Sequence, residues 1–165
     1  MILAVDVALL LQSGVVAAVV AAIVSIGTTL VAGRRARLDR QRQVFATAFE
    51  AISSYKEFPY IVRRRNGGDP GERERISGEL TVVQRQLSNS AAVLQVEAPA
   101  VAEKYELLER ELRATAGGEI RRSWELPAIP AEESQRIEDI DFSSLVPHEK
   151  AYLEAVRKHL RFFLG

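Results

Sequence analysis

The chain lacks cysteine altogether, and that absence removes disulfides, thiol catalysis and Cys-ligated zinc or iron–sulfur centres at once. Histidine is nearly as scarce. The two present, His148 and His159, lie 11 residues apart on what reads as one helix, about 16 Å along its axis and too far to share a metal. Both are expected as surface or cap residues. The patterns that carry catalysis are missing too: there is no G-x-x-x-x-G-K-S/T phosphate loop, no G-x-G-x-x-G after a strand, no G-x-S-x-G elbow and no H-E-x-x-H. Glu103, Glu106 and Glu109 repeat at three and join Glu111 in an acidic face, but no Glu-x-x-His accompanies them. Lys104, Arg110 and Arg113 interleave, so a solvated helix face is the reading. No metal, no cofactor and no small-molecule substrate is legible.

Charge is missing from one end only. Residues 1–33 contain a single charged side chain, Asp6, whereas Arg34 to Arg42 contain five arginines and one aspartate. The run Gly14 to Ala32 (GVVAAVVAAIVSIGTTLVA) is 19 residues long, and at a rise of about 1.5 Å per residue it nearly covers a hydrocarbon core of roughly 30 Å. Val7 to Leu11 supplies the remainder. The pattern predicts a single transmembrane helix with Arg34, Arg35, Arg37, Arg40 and Arg42 retained on the cytoplasmic side and the N-terminus outside. A cleaved signal peptide requires a basic leading region and a shorter apolar stretch, and Met1 to Leu11 has neither Lys nor Arg. The basic residues are 18 Arg and 4 Lys, a bias that fits a GC-rich bacterial genome and hence a bacterial plasma membrane. The five arginines face anionic headgroups; without interleaved aromatics they do not read as a nucleic-acid surface. Within the span, Ala17, Ala21, Ser25, Thr29 and Gly33 form a row of small residues at a spacing of four, the pattern that admits a second helix closely in a bilayer. Lipid and a protein partner or second copy are therefore the partners implied.

After residue 33, 132 residues remain, enough for one domain with a modest core. Residues 34–65 carry nine basic and three acidic side chains, while 66–165 carry 13 and 18. From Arg34 the helical signal runs to Pro59 with Leu38, Phe45 and Ile52 seven apart, flanked by Ala48 and Tyr55 and by Val44, Ala51 and Phe58. Asn66-Gly-Gly-Asp-Pro-Gly71 predicts a reversal. Ile76, Leu80, Val83, Leu87, Ala91 and Leu94 then mark an amphipathic helix, and Pro99 suits the first position of the next. That helix, with Val101, Tyr105, Leu108 and Leu112 on one stripe, is expected to stop at Gly117-Gly118. An irregular linker is expected over 117–146, pinned by Trp124, Leu126, Ile129, Ile137 and Ile140. Pro147 opens a last helix with Tyr152, Val156, Leu160 and Phe163 recurring. The predicted fold is all-α: a transmembrane anchor over 1–33 continuing into a long cytosolic helix, packed within a cytosolic helical bundle over 34–165.

The most distinctive soluble stretch is Tyr55-Lys-Glu-Phe-Pro-Tyr-Ile-Val-Arg-Arg-Arg65. Tyr55, Phe58 and Tyr60 beside Arg63, Arg64 and Arg65 suit recognition of a carboxylate- or phosphate-bearing partner, or else a helix end packed by aromatics under a basic cap. The segments RRARLDRQRQVFATAFEAISSYKEFPYIVRRR (34–65) and GGEIRRSWELP (117–127) resemble a group of small uncharacterised single-pass membrane proteins of actinobacteria and their mobile elements. The resemblance implies topology and assigns no activity and no functional residue. The expected role is a membrane-anchored interaction or scaffold protein without evident catalysis. A small accessory subunit of a larger membrane complex is the alternative, and a membrane-bound enzyme using Glu138, Asp139 and Asp141 near Arg121 and Arg122 is a further one.

Overall fold

The computed structural model describes residues 33, 35–67, 69–129 and 140–162. The expected span with Ala17, Ala21, Ser25 and Thr29, the basic residue Arg34, and Ile137, Glu138 and Asp139 of the linker lie outside the described residues. Among the described residues the regular structure is all helical, without a strand, and no helix is long and apolar enough to cross a membrane.

The chain divides into two units, 1–40 and 41–165. In the first, Gly33 and residues 35–40 are helical, with Gly33, Arg35, Arg37 and Arg40 exposed and Leu38 buried. In the second, α1 takes residues 41–63, α2 Glu72–Glu97 and α3 Pro99–Glu125; a 3-10 turn at Ser143–Leu145 leads into α4, Val146–Phe162. Pro99 and Pro147 stand in first helical turns, where a missing N–H costs least, whereas Pro59 lies buried inside α1, which continues past it to residue 63. Ala98 alone separates α3 from α2.

Cross-helix contacts fix the directions. Gln95 bonds Glu106 at 3.0 Å and Arg73 lies over Trp124, pairs that straddle Ala98 almost symmetrically, so α2 and α3 run antiparallel along their length. Tyr55 meets Gly117 and Arg65 meets Ser123, so α1 runs parallel to α3. Gln41 with His159, Phe45 with Tyr152 and Lys56 with Glu149 run in opposite senses, so α4 is antiparallel to α1. The result is an up-down-up-down bundle of four helices.

Its core follows the apolar periods. Phe45, Ala48, Ile52, Tyr55, Phe58 and Val62 of α1 meet Ile76, Leu87 and Leu94 of α2 and Val101, Tyr105, Leu108 and Leu112 of α3, closed by Leu145 and Tyr152. Each such aliphatic side chain contributes about 1.5–3 kcal/mol when fully buried. Leu80, Val83 and Ala91 of the α2 stripe are only half-buried, and Ser90 takes a buried place instead.

Gly117 and Gly118 do not end α3. The helix continues to Glu125, so the irregular segment begins at Leu126 rather than at residue 117. Glycine stops a helix when the chain needs a positive φ, and neither glycine has one. Mid-helix glycine costs about 1 kcal/mol relative to alanine. Here Ala116, Ile120 and Ser123 carry the buried stripe past the pair, and burial outweighs the propensity loss. Trp124, expected to pin the linker, is therefore a helical residue of α3.

Candidate functional site

The aromatic and basic stretch at the end of α1 separates into two parts. Tyr55 and Phe58 are 4% and 3% exposed and their rings belong to the core, which withdraws both rings from the aromatic and basic surface expected at the end of α1. They sit on the same helical stripe as Ile52 and Val62, so their burial follows from the period that makes α1 amphipathic.

Arg63, Arg65 and Tyr60 instead hold chain ends. The Arg65 guanidinium donates from Nη1 to the carbonyls of Val62 at 2.8 Å and Ser123 at 3.0 Å, and from Nη2 to that of Leu126 at 2.6 Å. One side chain thus satisfies orphan carbonyls at the C-termini of α1 and α3 together. Arg63 donates to the Pro127 carbonyl at 3.1 Å and receives Ile129 N–H on its own carbonyl at 2.9 Å. The Tyr60 hydroxyl accepts Ile140 N–H at 3.1 Å. The two segments that the sequence offered to a partner, 58–65 and the linker, are bound to each other.

Around this joint arginines gather on aromatic rings. Arg65 and Arg73 each lie 5.2 Å from the centre of the Trp124 ring, and Arg64 lies 5.9 Å from that of Tyr60. Burial, and then the like charges of Arg63 and Arg73, hold the Arg65 guanidinium below its usual value. The nearest first-turn acid of α2, Glu72, is engaged by Arg75 at 2.7 Å, which holds its carboxyl below the usual range.

Beside Trp124 a cleft of about 580 Å³ opens between α2 and α3. Leu80 and Gln84 form one wall, and Gly117, Gly118, Ile120 and Arg121 the other, with Arg113 at the rim. Tyr55 of α1 reaches it: the phenol oxygen stands 3.5 Å from where a Cβ on Gly117 would be, and it makes no hydrogen bond within the described residues. Arg113 is paired with Glu109 at 2.7 Å; Arg121 is exposed and forms no ion pair or hydrogen bond within the described residues. No Asp or Glu lines the cleft.

The remaining candidates are placed as follows. Arg42 is exposed beside an apolar groove of about 470 Å³ walled by Phe45, Phe49, Tyr152, Val156 and Leu160. Asp141 accepts Ser143 N–H at 2.8 Å, and the backbone and side chain of Ser143 hold its carboxyl below the usual range. Arg122 faces Glu119 at 3.8 Å, and neither Arg121 nor Arg122 meets Asp141, so the described part of that acidic and basic set forms no polar site. Among the described residues no three His, Asp or Glu side chains converge for a metal. His159 is not the surface residue expected: it is half-buried, edge-on to Phe45 at 5.5 Å, with Nε2 3.3 Å from the Gln41 amide nitrogen. It follows Val156 round α4 onto the α1-facing side. His148 is half-buried in the first turn of α4.

Sequence reasoning missed Arg73, Gln84 and the opening left by the glycine pair. The signal for the last was present: Gly-Gly lies inside an apolar period that resumes at Ile120, which marks a close approach or a space rather than a stop. Comparison with protein-family models, curated proteins and solved structures finds no match.

Proposed function

We propose that the protein is a single-pass, membrane-anchored interaction protein of the bacterial plasma membrane that holds its helical bundle on the cytoplasmic face. The observation that carries this reading is the apolar run Gly14 to Ala32 set directly against the five arginines of Arg34 to Arg42. The bundle supports it in a second way. Its arginine-rich end, with Arg64, Arg73, Arg121 and Arg122 exposed, suits an acidic protein partner. The small-residue row in the anchor favours self-association in the bilayer.

Alkaline carbonate extraction of native membranes, with protease added to intact cells carrying a C-terminal tag, tests the anchor. The chain is expected in the pellet with its tag protected; release into the supernatant or loss of the tag overturns the reading. Crosslinking from the same membranes tests the surface, comparing the native chain with one carrying Arg64→Gln, Arg73→Gln and Arg122→Gln. Arg65 is left intact because its loss would loosen two helix ends. Reduced capture is expected, and unchanged capture removes the arginine-rich end from the reading. A stoichiometric heterologous partner in mild detergent favours an accessory subunit of a larger complex.

A further inference from the structure

The cleft between α2 and α3 holds a feature that packing does not require. The Tyr55 ring is almost fully buried, while its hydroxyl, without a hydrogen bond to the described residues, opens on the cleft rather than being enclosed. Directly beside it α3 carries two consecutive glycines. Neither adopts a backbone conformation reserved to glycine, and a Cβ on Gly118 would meet nothing within 4 Å. Their effect is to leave the wall bare. The polar groups that face the space can all donate: the Tyr55 hydroxyl, the Gln84 amide NH2 and the uncommitted Arg121 guanidinium, with Arg113 already neutralised by Glu109. Leu80 and Ile120 supply apolar wall. The cleft is open to solvent on one side, and its volume, about 580 Å³, admits a small molecule.

We propose that this cleft binds a small organic oxyanion, a phosphoryl or carboxylate group carrying a compact apolar arm. Arg121 takes the anionic oxygens in its planar fork, Tyr55 donates its phenolic proton to one of them from the floor, and Gln84 donates from the α2 wall. The arm lies on Leu80 and Ile120 over the glycine pair. The site belongs to the bundle alone and does not depend on the anchor or on a protein partner.

The chain has a single tryptophan, Trp124, and it lines the cleft, so its fluorescence reports occupancy without a label. Full-length protein in detergent micelles is titrated with phenyl phosphate, and in parallel with benzoate, inorganic phosphate and phenol. A saturable change is expected with phenyl phosphate or benzoate, and whichever saturates at lower concentration names the anion. Inorganic phosphate is expected to bind at least tenfold more weakly, and phenol to give no saturation. Arg121→Gln is expected to weaken the response at least tenfold and Tyr55→Phe severalfold. Gly118→Leu, which fills the space from an open position on the helix, is expected to abolish it with the circular dichroism spectrum and Tm retained. A response that does not saturate, or one that saturates equally in the native chain, Arg121→Gln and Gly118→Leu, overturns the proposal.

Discussion

The seam between α1 and α4 and the cleft between α2 and α3 are built from similar residues and finished differently. In the seam most polar side-chain groups meet partners, the buried Gln41 Oε1 being the exception. The Tyr152 hydroxyl donates to the Phe45 carbonyl at 2.9 Å, Lys56 meets Glu149 at 2.9 Å and lies over the Phe142 ring, and His159 meets Gln41. Its groove is apolar, and nothing in the structure shows what covers it. In the cleft, by contrast, the Tyr55 hydroxyl and Arg121 remain without partners and glycine stands where alanine would serve the helix better. One region is closed by its own chemistry; the other is left open to chemistry from outside. What separates the Tyr55 oxygen from the enclosed, unpartnered one of Tyr105 is that it opens on a cleft.

The sharpest way to break that comparison is to remove a seam ring. Tyr152→Ala deletes a side chain 1% exposed that stacks near Phe49 and Tyr105, and a loss of about 3–5 kcal/mol is expected in urea unfolding. Gly118→Leu, filling the cleft, should leave stability unchanged or higher, and equal losses from the two would erase the distinction. Next comes Arg65→Ala, which removes three guanidinium hydrogen bonds at the joint between α1 and α3 and should cost about 1.5–3 kcal/mol, with amide exchange at residues 123–129 rising first.

A smaller contrast separates two phenols of one cluster. Tyr152→Phe loses a buried hydrogen bond and should cost about 1 kcal/mol. Tyr105→Phe should cost little, because that hydroxyl is buried without a well-formed hydrogen bond, Ser90 being its polar neighbour. Burial raises both phenols above their usual value, and Tyr105 also raises Tyr152. A raised folded value means that the unfolded chain releases these protons first, so the stability they contribute is full below about pH 10, the unfolded value, and is lost as pH rises through the folded one. The double variant should show a flatter decline of Tm in that alkaline range. Least of all, Gly117→Ala should stabilise α3 by about 0.5–1 kcal/mol, since its Cβ meets the Tyr55 oxygen at an ordinary 3.5 Å.

The helices were legible because their buried positions recur every three or four residues. Phe45, Ile52 and Tyr55 in α1, Ile76, Leu87 and Leu94 in α2, and Val101, Tyr105, Leu108 and Leu112 in α3 all lie where that period puts them. What escaped depends on information that period does not carry. Gly117 resembles a terminator in one dimension, and only the neighbouring helices decide whether the stripe resumes beyond it. Arg65 resembles a solvated cap until α3 brings Ser123 and Leu126 to its guanidinium across 58 and 61 residues of sequence. Arg73, on the polar face of α2, acquires meaning only because the reversal at Ala98 returns Trp124 to it. Local pattern names the faces of helices; it does not name what two distant helix ends share.

The bond from Tyr152 to the Phe45 carbonyl spans 107 residues, and it has a temporal consequence. Ribosomes deliver α1 well before α4, and at about 5–20 residues per second the wait is roughly 5–20 s. Throughout that interval Phe45 and Phe49 of the nascent chain have no α4 to cover them, so this flank stays open until synthesis catches up.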